Sequence, residues 1–244
     1  MKKKLLSILL CLVMVVGLLP TAAFAAGYVE INETNFPDAK FRSFVKENLD
    51  KNKDDILDAM EIAAVKMIEA NKMGIKSLEG VGFFTALETL KCWDNELTGL
   101  DLSKNTKLTS LSCSENELTA LDVSKNTELT RLYCGSNRLA ALDVTQNKNL
   151  EELDCESDSL LSYMKLTKLD VSQNKALKKL NCYGVKMKEL NVSGCTALER
   201  LDCGGNQLDA LDVSQNTKLT FLDCASNQLT ALDVSKNPEL KDLY

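Results

Sequence analysis

The chain has 244 residues, with 29 lysines and arginines against 35 aspartates and glutamates, 45% hydrophobic residues, nine cysteines and no histidine. Without histidine there is no histidine-based triad, no imidazole acid–base catalysis and no histidine-ligated zinc. The acidic balance repels phosphate backbones, so nucleic acid is not an expected partner.

The N-terminus reads as a signal peptide over residues 1–25. Lys2, Lys3 and Lys4 form a positive start, Leu5 to Leu19 an apolar run, and Ala23-Phe24-Ala25 a small-residue cleavage site. The run is short for a membrane anchor and ends in Pro20. Cys11 lacks the following small residues that lipidation needs, and no second apolar span follows. The mature chain is expected to be secreted or displayed on the surface of a bacterium. Setting aside the three lysines leaves 26 basic against 35 acidic residues, a net charge of −9.

Residues 26–64 read as a small helical cap. Asn35 is placed to cap a helix, Pro37 suits its first turn, and Phe41, Phe44, Val45 and Leu49 share one helical face. Next comes Asp50-Lys-Asn-Lys-Asp-Asp-Ile-Leu-Asp-Ala-Met-Glu61, which resembles the EF-hand loop. The resemblance implies a structural Ca2+ ion held by Asp50, Asn52, Asp54, the carbonyl of Ile56, Asp58 and Glu61, an alternation of hard oxygens suited to calcium. Asp55 stands where the family has glycine, at a position needing positive φ, a cost of about 1 kcal/mol. A single hand also lacks the second loop that usually stiffens it. Asp58 and Glu61 equally suit a helix capping box, and the two readings are compatible.

From residue 65 to 244 the chain repeats itself. Leu87, Leu108, Leu129, Leu150, Leu177, Leu198 and Leu219 each open a copy of L-x-x-L-x-C-x-x-N-x-L-x-x-L-D-V-S-x-N, with a period of 21 residues. Val65, Ile68, Met73, Ile75 and Leu78 follow the frame loosely, as a capping coil does. The copy from Leu150 carries six extra residues around Ser159–Met164, expected to bulge outward as a loop. In the copy from Leu177, Val185 and Met187 replace Asn and Leu. The chain stops shortly after Leu240, partway into a new coil. That predicts either a fragment of a longer protein or an end sealed by self-association through the uncapped coil.

Positions one, four, six and eleven are apolar and predicted to face inward. The asparagines Asn95, Asn116, Asn137, Asn206 and Asn227, and the second row Asn105, Asn126, Asn147, Asn174, Asn216 and Asn237, are predicted to serve the turns. Cys92, Cys113, Cys134, Cys155, Cys182, Cys203 and Cys224 share one inward position, and no C-x-x-C spacing points to a metal. They are expected to be a ladder of free thiols acting as small hydrophobes. Cys195 stands in the second asparagine row.

The frame resembles that of the leucine-rich-repeat proteins. The signal, helical cap and repeats resemble the internalin-like layout of extracellular bacterial members. The resemblance implies a right-handed leucine-rich-repeat solenoid, or horseshoe. It would carry a parallel β-sheet on the concave face, short irregular or 3-10 convex segments and a small α-helical N-terminal cap. If L-x-C is a strand, positions three, five and seven point outward. They carry Trp93, Arg131, Tyr133, Glu152, Asp154, Glu156, Tyr183, Arg200 and Phe221, the candidate ligand-binding residues. The function implied is adhesion or recognition of a protein or glycan through that face. The alternative is a structural spacer or display stalk without a ligand. Two carboxylates such as Glu152 and Asp154 on one flat strand offer no cleft for a sugar, so no enzyme is expected.

Overall fold

The computed structural model describes residues 27–157 and 164–244. The signal segment and most of the Ser159–Met164 insertion fall outside them. The elements run β1 (Tyr28–Glu30), α1 (Ala39–Asn48), β2 (Ile56–Asp58), α2 (Ala59–Ala64), β3 (Met67–Glu69) and a 3-10 turn (Val81–Phe83). Then come β4 (Thr89–Lys91), β5 (Ser110–Ser112), β6 (Arg131–Tyr133), β7 (Glu152–Asp154), β8 (Lys168–Asp170), β9 (Lys179–Asn181), β10 (Glu189–Asn191), β11 (Arg200–Asp202), β12 (Phe221–Asp223) and β13 (Asp242–Leu243).

The three-residue strands are short because each coil needs only one side of its circuit in the ladder. Stacked coils pair them into a nine-stranded sheet in the order β13-β12-β11-β9-β7-β6-β5-β4-β3. Thr89, Ser110, Arg131, Glu152, Lys179, Arg200 and Phe221 stand opposite one another along its length. The extra residues of the Leu150 copy leave this register intact, since β7 pairs directly with β9. Elsewhere the circuit is closed mainly by turns, as the irregular convex segments required. β8 and β10 add a second, two-stranded parallel sheet that the repeat frame does not announce.

The core is a stack of leucine layers. Leu90, Leu111, Leu132, Leu153, Leu180, Leu201 and Leu222 are all buried, flanked by Leu87, Leu108, Leu129, Leu150, Leu177, Leu198 and Leu219. Cys92, Cys113, Cys134, Cys155, Cys182 and Cys203 are buried, unpaired thiols in the same column, while Cys224 is half-buried. Cys195 is also buried, and its Sγ donates to Val171 O at 3.1 Å. Val185 and Met187, the substitutions of the Leu177 copy, are buried too.

Each asparagine of the first row joins adjacent coils. Asn116 Oδ1 accepts from Leu97 N–H at 3.0 Å while Nδ2 donates to Cys92 O and Cys113 O. Second-row asparagines use only the donor end: Asn126 Nδ2 donates to Leu102 O and Asn105 O at 3.1 and 2.9 Å. Their Oδ1 atoms have no protein hydrogen-bond partner.

In the cap, the helix-capping residue is Asp38, not Asn35. Asp38 accepts from Lys40 N–H and Phe41 N–H, whereas Asn35 Nδ2 donates to Glu30 O. Pro37 fixes the backbone just before that cap, which moves the helix start on to Ala39. Phe41 and Val45 are buried and pack with Phe36, Phe83 and Phe84, fastening the cap to the first coil. Met73, in the loose capping coil, stays 37% exposed where later coils bury asparagine.

Candidate functional site

Along the nine-stranded sheet the middle residue of each main-sheet strand from β3 to β12 is buried, while its neighbours are exposed or half-buried. Position five forms the in-register column Lys91, Ser112, Tyr133, Asp154, Asn181, Asp202 and Asp223. The side chains of this face change character from coil to coil.

The nine candidate residues divide into three groups. Trp93 stands apart, behind the coil of Ser110, Ser112 and Ser114, with Lys72 Nζ 4.5 Å from its ring centre. Arg131, Tyr133 and Glu152 form the middle group, largely satisfied within the protein. Tyr133 donates its hydroxyl to Glu152 Oε2 at 2.6 Å, and Lys179 Nζ lies 3.0 Å from Glu152 Oε1. The Tyr133 bond, with Lys179, holds Glu152 below the usual carboxylate range. Burial and that same bond push Tyr133 up to about 12.

The third group lies toward β12. Asp154 and Glu156 both accept from Asn181 Nδ2, at 3.1 and 2.7 Å. Burial, reinforced by Glu156, raises the Asp154 carboxyl above its ordinary value. Burial and neighbouring Asp223 raise Asp202 likewise. Arg200 is stacked over Phe221 with its guanidinium 3.5 Å from the ring centre, and Phe221 contacts Tyr244 at 5.7 Å. Tyr183 is 43% exposed. Asn181, Asp202 and Asp223 were not singled out from sequence, although their place in the position-five column between Asp154 and β12 was the available signal.

The cap loop forms a second candidate site. Lys53 and Asp55 take left-handed φ of 61° and 66°, so Asp55 does adopt the conformation of the missing glycine. β1 pairs antiparallel with β2, setting Glu30 opposite Ile56 beside the loop. Asp50 accepts from Lys53 N–H and Asp55 N–H, Asn52 from Asp54 N–H, and Asp54 from Ile56 N–H. Glu61 accepts from Lys51 N–H and Asp58 N–H, completing a capping box with Asp58. Ligand types and backbone course fit a hard cation. The side chains are engaged with loop amides, and among the described residues no three cysteine, aspartate or glutamate side chains are gathered as a metal site.

The sequence matches no protein-family model and no curated protein. Among solved structures, the chain resembles the functional domain of InlJ from Listeria monocytogenes, described as including a cysteine ladder. The TM-score is 0.53 at 33% identity over 88% of this chain. The chain spans 56% of the length of that domain. Internalin C2 of the same organism superposes with a TM-score of 0.59 at 24% identity, covering 89% of this chain and 87% of that one. The fold is that of the leucine-rich-repeat proteins. In leucine-rich-repeat terms, the Cys92–Cys224 column is this chain's own cysteine ladder. No helix among the described residues is long and apolar enough to cross a membrane.

Proposed function

We propose that this chain is an exported recognition module that binds a protein or glycan through the exposed face of its nine-stranded sheet. One observation carries the reading. Interior positions repeat as leucine, cysteine and asparagine, whereas the outward columns hold serines in one coil and aromatic, acidic and basic groups in others. A rigid in-register scaffold fixes those groups with little ordering entropy left to lose on binding. The test is binding of the full chain to panels of surface proteins and oligosaccharides. A saturable ligand lost on Tyr183→Ser or Phe221→Ala, and kept on far-side Lys125→Ala, supports the reading. A ligand indifferent to every face substitution would move recognition off this face, and the absence of any saturable ligand would leave a spacer.

We further infer that the cap loop takes a structural calcium ion. The support is the positive φ at Asp55 and the β1 partner strand. Asp50, Asn52, Asp54, the Ile56 carbonyl, Asp58 and Glu61 would hold it. Its role there is to neutralise the loop acids and fasten the cap to the solenoid.

A further inference from the structure

The identity of the partner can be narrowed, on the reading that the sheet face is the recognition surface. Around Tyr183 the sequence places two glycines, Gly204 and Gly205, in the next coil. A Cβ added to Gly204 would stand 3.2 Å from the Tyr183 ring and 3.0 Å from Asp223 Oδ1, and one added to Gly205 would stand 3.2 Å from the same ring. The glycines therefore let the ring lie down against the sheet, with 43% of the residue still open to solvent. The ring and the Asp223 carboxylate converge on one spot.

Charge then discriminates between partners. Asp154, Asn181, Asp202 and Asp223 run in register on adjacent strands, about 4.8 Å apart by the usual spacing of sheets. Glu156 sits beside them, bonded to Asn181. Of the two nearby cations, Lys179 is paired with Glu152 at 3.0 Å, while Arg200 lies over Phe221 at 3.5 Å and offsets part of the charge on Asp202 without forming an ion pair with it. Among the described residues none of Asp154, Glu156, Asp202 and Asp223 takes part in an ion pair. A neutral sugar could stack on Tyr183 but would leave this like-charge row uncompensated. A sulfated or phosphorylated partner would be repelled. A lysine or arginine side chain satisfies both features, its stem along the ring and its charge against the carboxylates.

We propose that the face between Tyr183 and Asp223 docks a basic protein segment, with a lysine or arginine side chain laid across the Tyr183 ring and paired with Asp202 and Asp223. Burial raises Asp154 and Asp202, and a cation arriving beside them favours their charged forms and counters that rise.

The test uses the full chain and three probes: a lysine–serine repeat peptide, a glutamate–serine peptide of equal length, and a neutral chitin oligosaccharide. Affinity is read by calorimetry and location by the amide resonances of Gly204 and Gly205. The lysine peptide should bind and shift both amides, and the other two should not. Asp202→Asn with Asp223→Asn should weaken it roughly tenfold, as should Tyr183→Ser. The far-side pair Asp122→Asn with Asp212→Asn removes the same charge and should leave affinity unchanged. Equal losses in both pairs, or no binding of the lysine peptide, overturn the inference. A shift of Gly204 and Gly205 by chitin or the acidic peptide alone overturns the basic partner and leaves face recognition standing. Ligands that shift only far-side amides overturn both.

Discussion

Asn116 accepts the Leu97 N–H at 3.0 Å from the coil before it, and the same amide donates to carbonyls of two coils. One side chain therefore replaces the backbone partners that two tight turns cannot offer each other. Asn126, a turn away on the far side, donates twice but leaves its own oxygen without a protein partner. At on the order of 1 kcal/mol or more for each buried group left unpaired, Asn116→Ala should destabilise the chain by about 3 kcal/mol and Asn126→Ala by about 2 kcal/mol. Urea unfolding monitored by circular dichroism checks both. An equal or reversed order would mean the two rows do not differ as their hydrogen bonds do.

Much of this was legible in the sequence because a repeat states its interior over and over. The leucine layers, the thiol column and both asparagine rows are one frame read repeatedly, and each sits where the frame put it. What the frame could not show is pairing between side chains of different coils. The frame places Glu152 on the outer face but could not show that Tyr133 and Lys179 occupy both its oxygens. Trp93 stands on the same face, and the coil of serines that separates it from the other candidates was already legible in the sequence. The β8–β10 pair and the β1 strand beside the cap loop depend on contacts between segments that share no periodic signal.

The buried thiols should be chemically silent in the folded protein. Burial pushes Cys92 up to about 12 and raises Cys113, Cys134, Cys155 and Cys182 well above the ordinary thiol value. The thiolate is the reactive form, so a thiol reagent near neutral pH should label the half-buried Cys224 first and the others only on unfolding. In denaturant without reductant, all eight cysteines from Cys92 to Cys224 should react. A count of one or two would mean the column is oxidised.

Asp202 makes the acidic row pH-dependent. Its carboxyl is raised by burial and by Asp223, so the folded state binds that proton more tightly than the unfolded chain does. The sign follows: the residue favours folding below its unfolded value, and that contribution is lost as pH rises through the raised folded value. Asp202→Asn should therefore melt at a higher temperature than the parent at neutral pH, with the difference shrinking as pH falls into the carboxylate range. Melting curves at several pH values test it. A variant less stable than the parent at neutral pH would show that the weak Gly204 N–H contact at 3.4 Å outweighs the repulsion.

Calcium should matter most at the cap. Glu61 closes the loop by accepting from Lys51 N–H at 2.7 Å and Asp58 N–H at 3.0 Å, so its removal weakens the cap whether or not an ion binds. Glu61→Gln is the sharper change, because its amide oxygen still serves the Lys51 N–H while the second anionic oxygen is gone. At a free calcium concentration a hundredfold above the dissociation constant, an ion that binds only the folded loop adds about 2.7 kcal/mol. The parent chain should melt higher in calcium than in chelator, and magnesium should do less, since it demands a tighter octahedral shell. Asp54→Asn should lose that increment while melting near the parent in chelator, and Glu61→Gln should lose it too while melting somewhat lower, because the Asp58 N–H gives up its acceptor. A parent melting temperature that ignores calcium would leave Asp58 and Glu61 as a helix cap alone, and the cap would then be fastened by its aromatic contacts to the first coil.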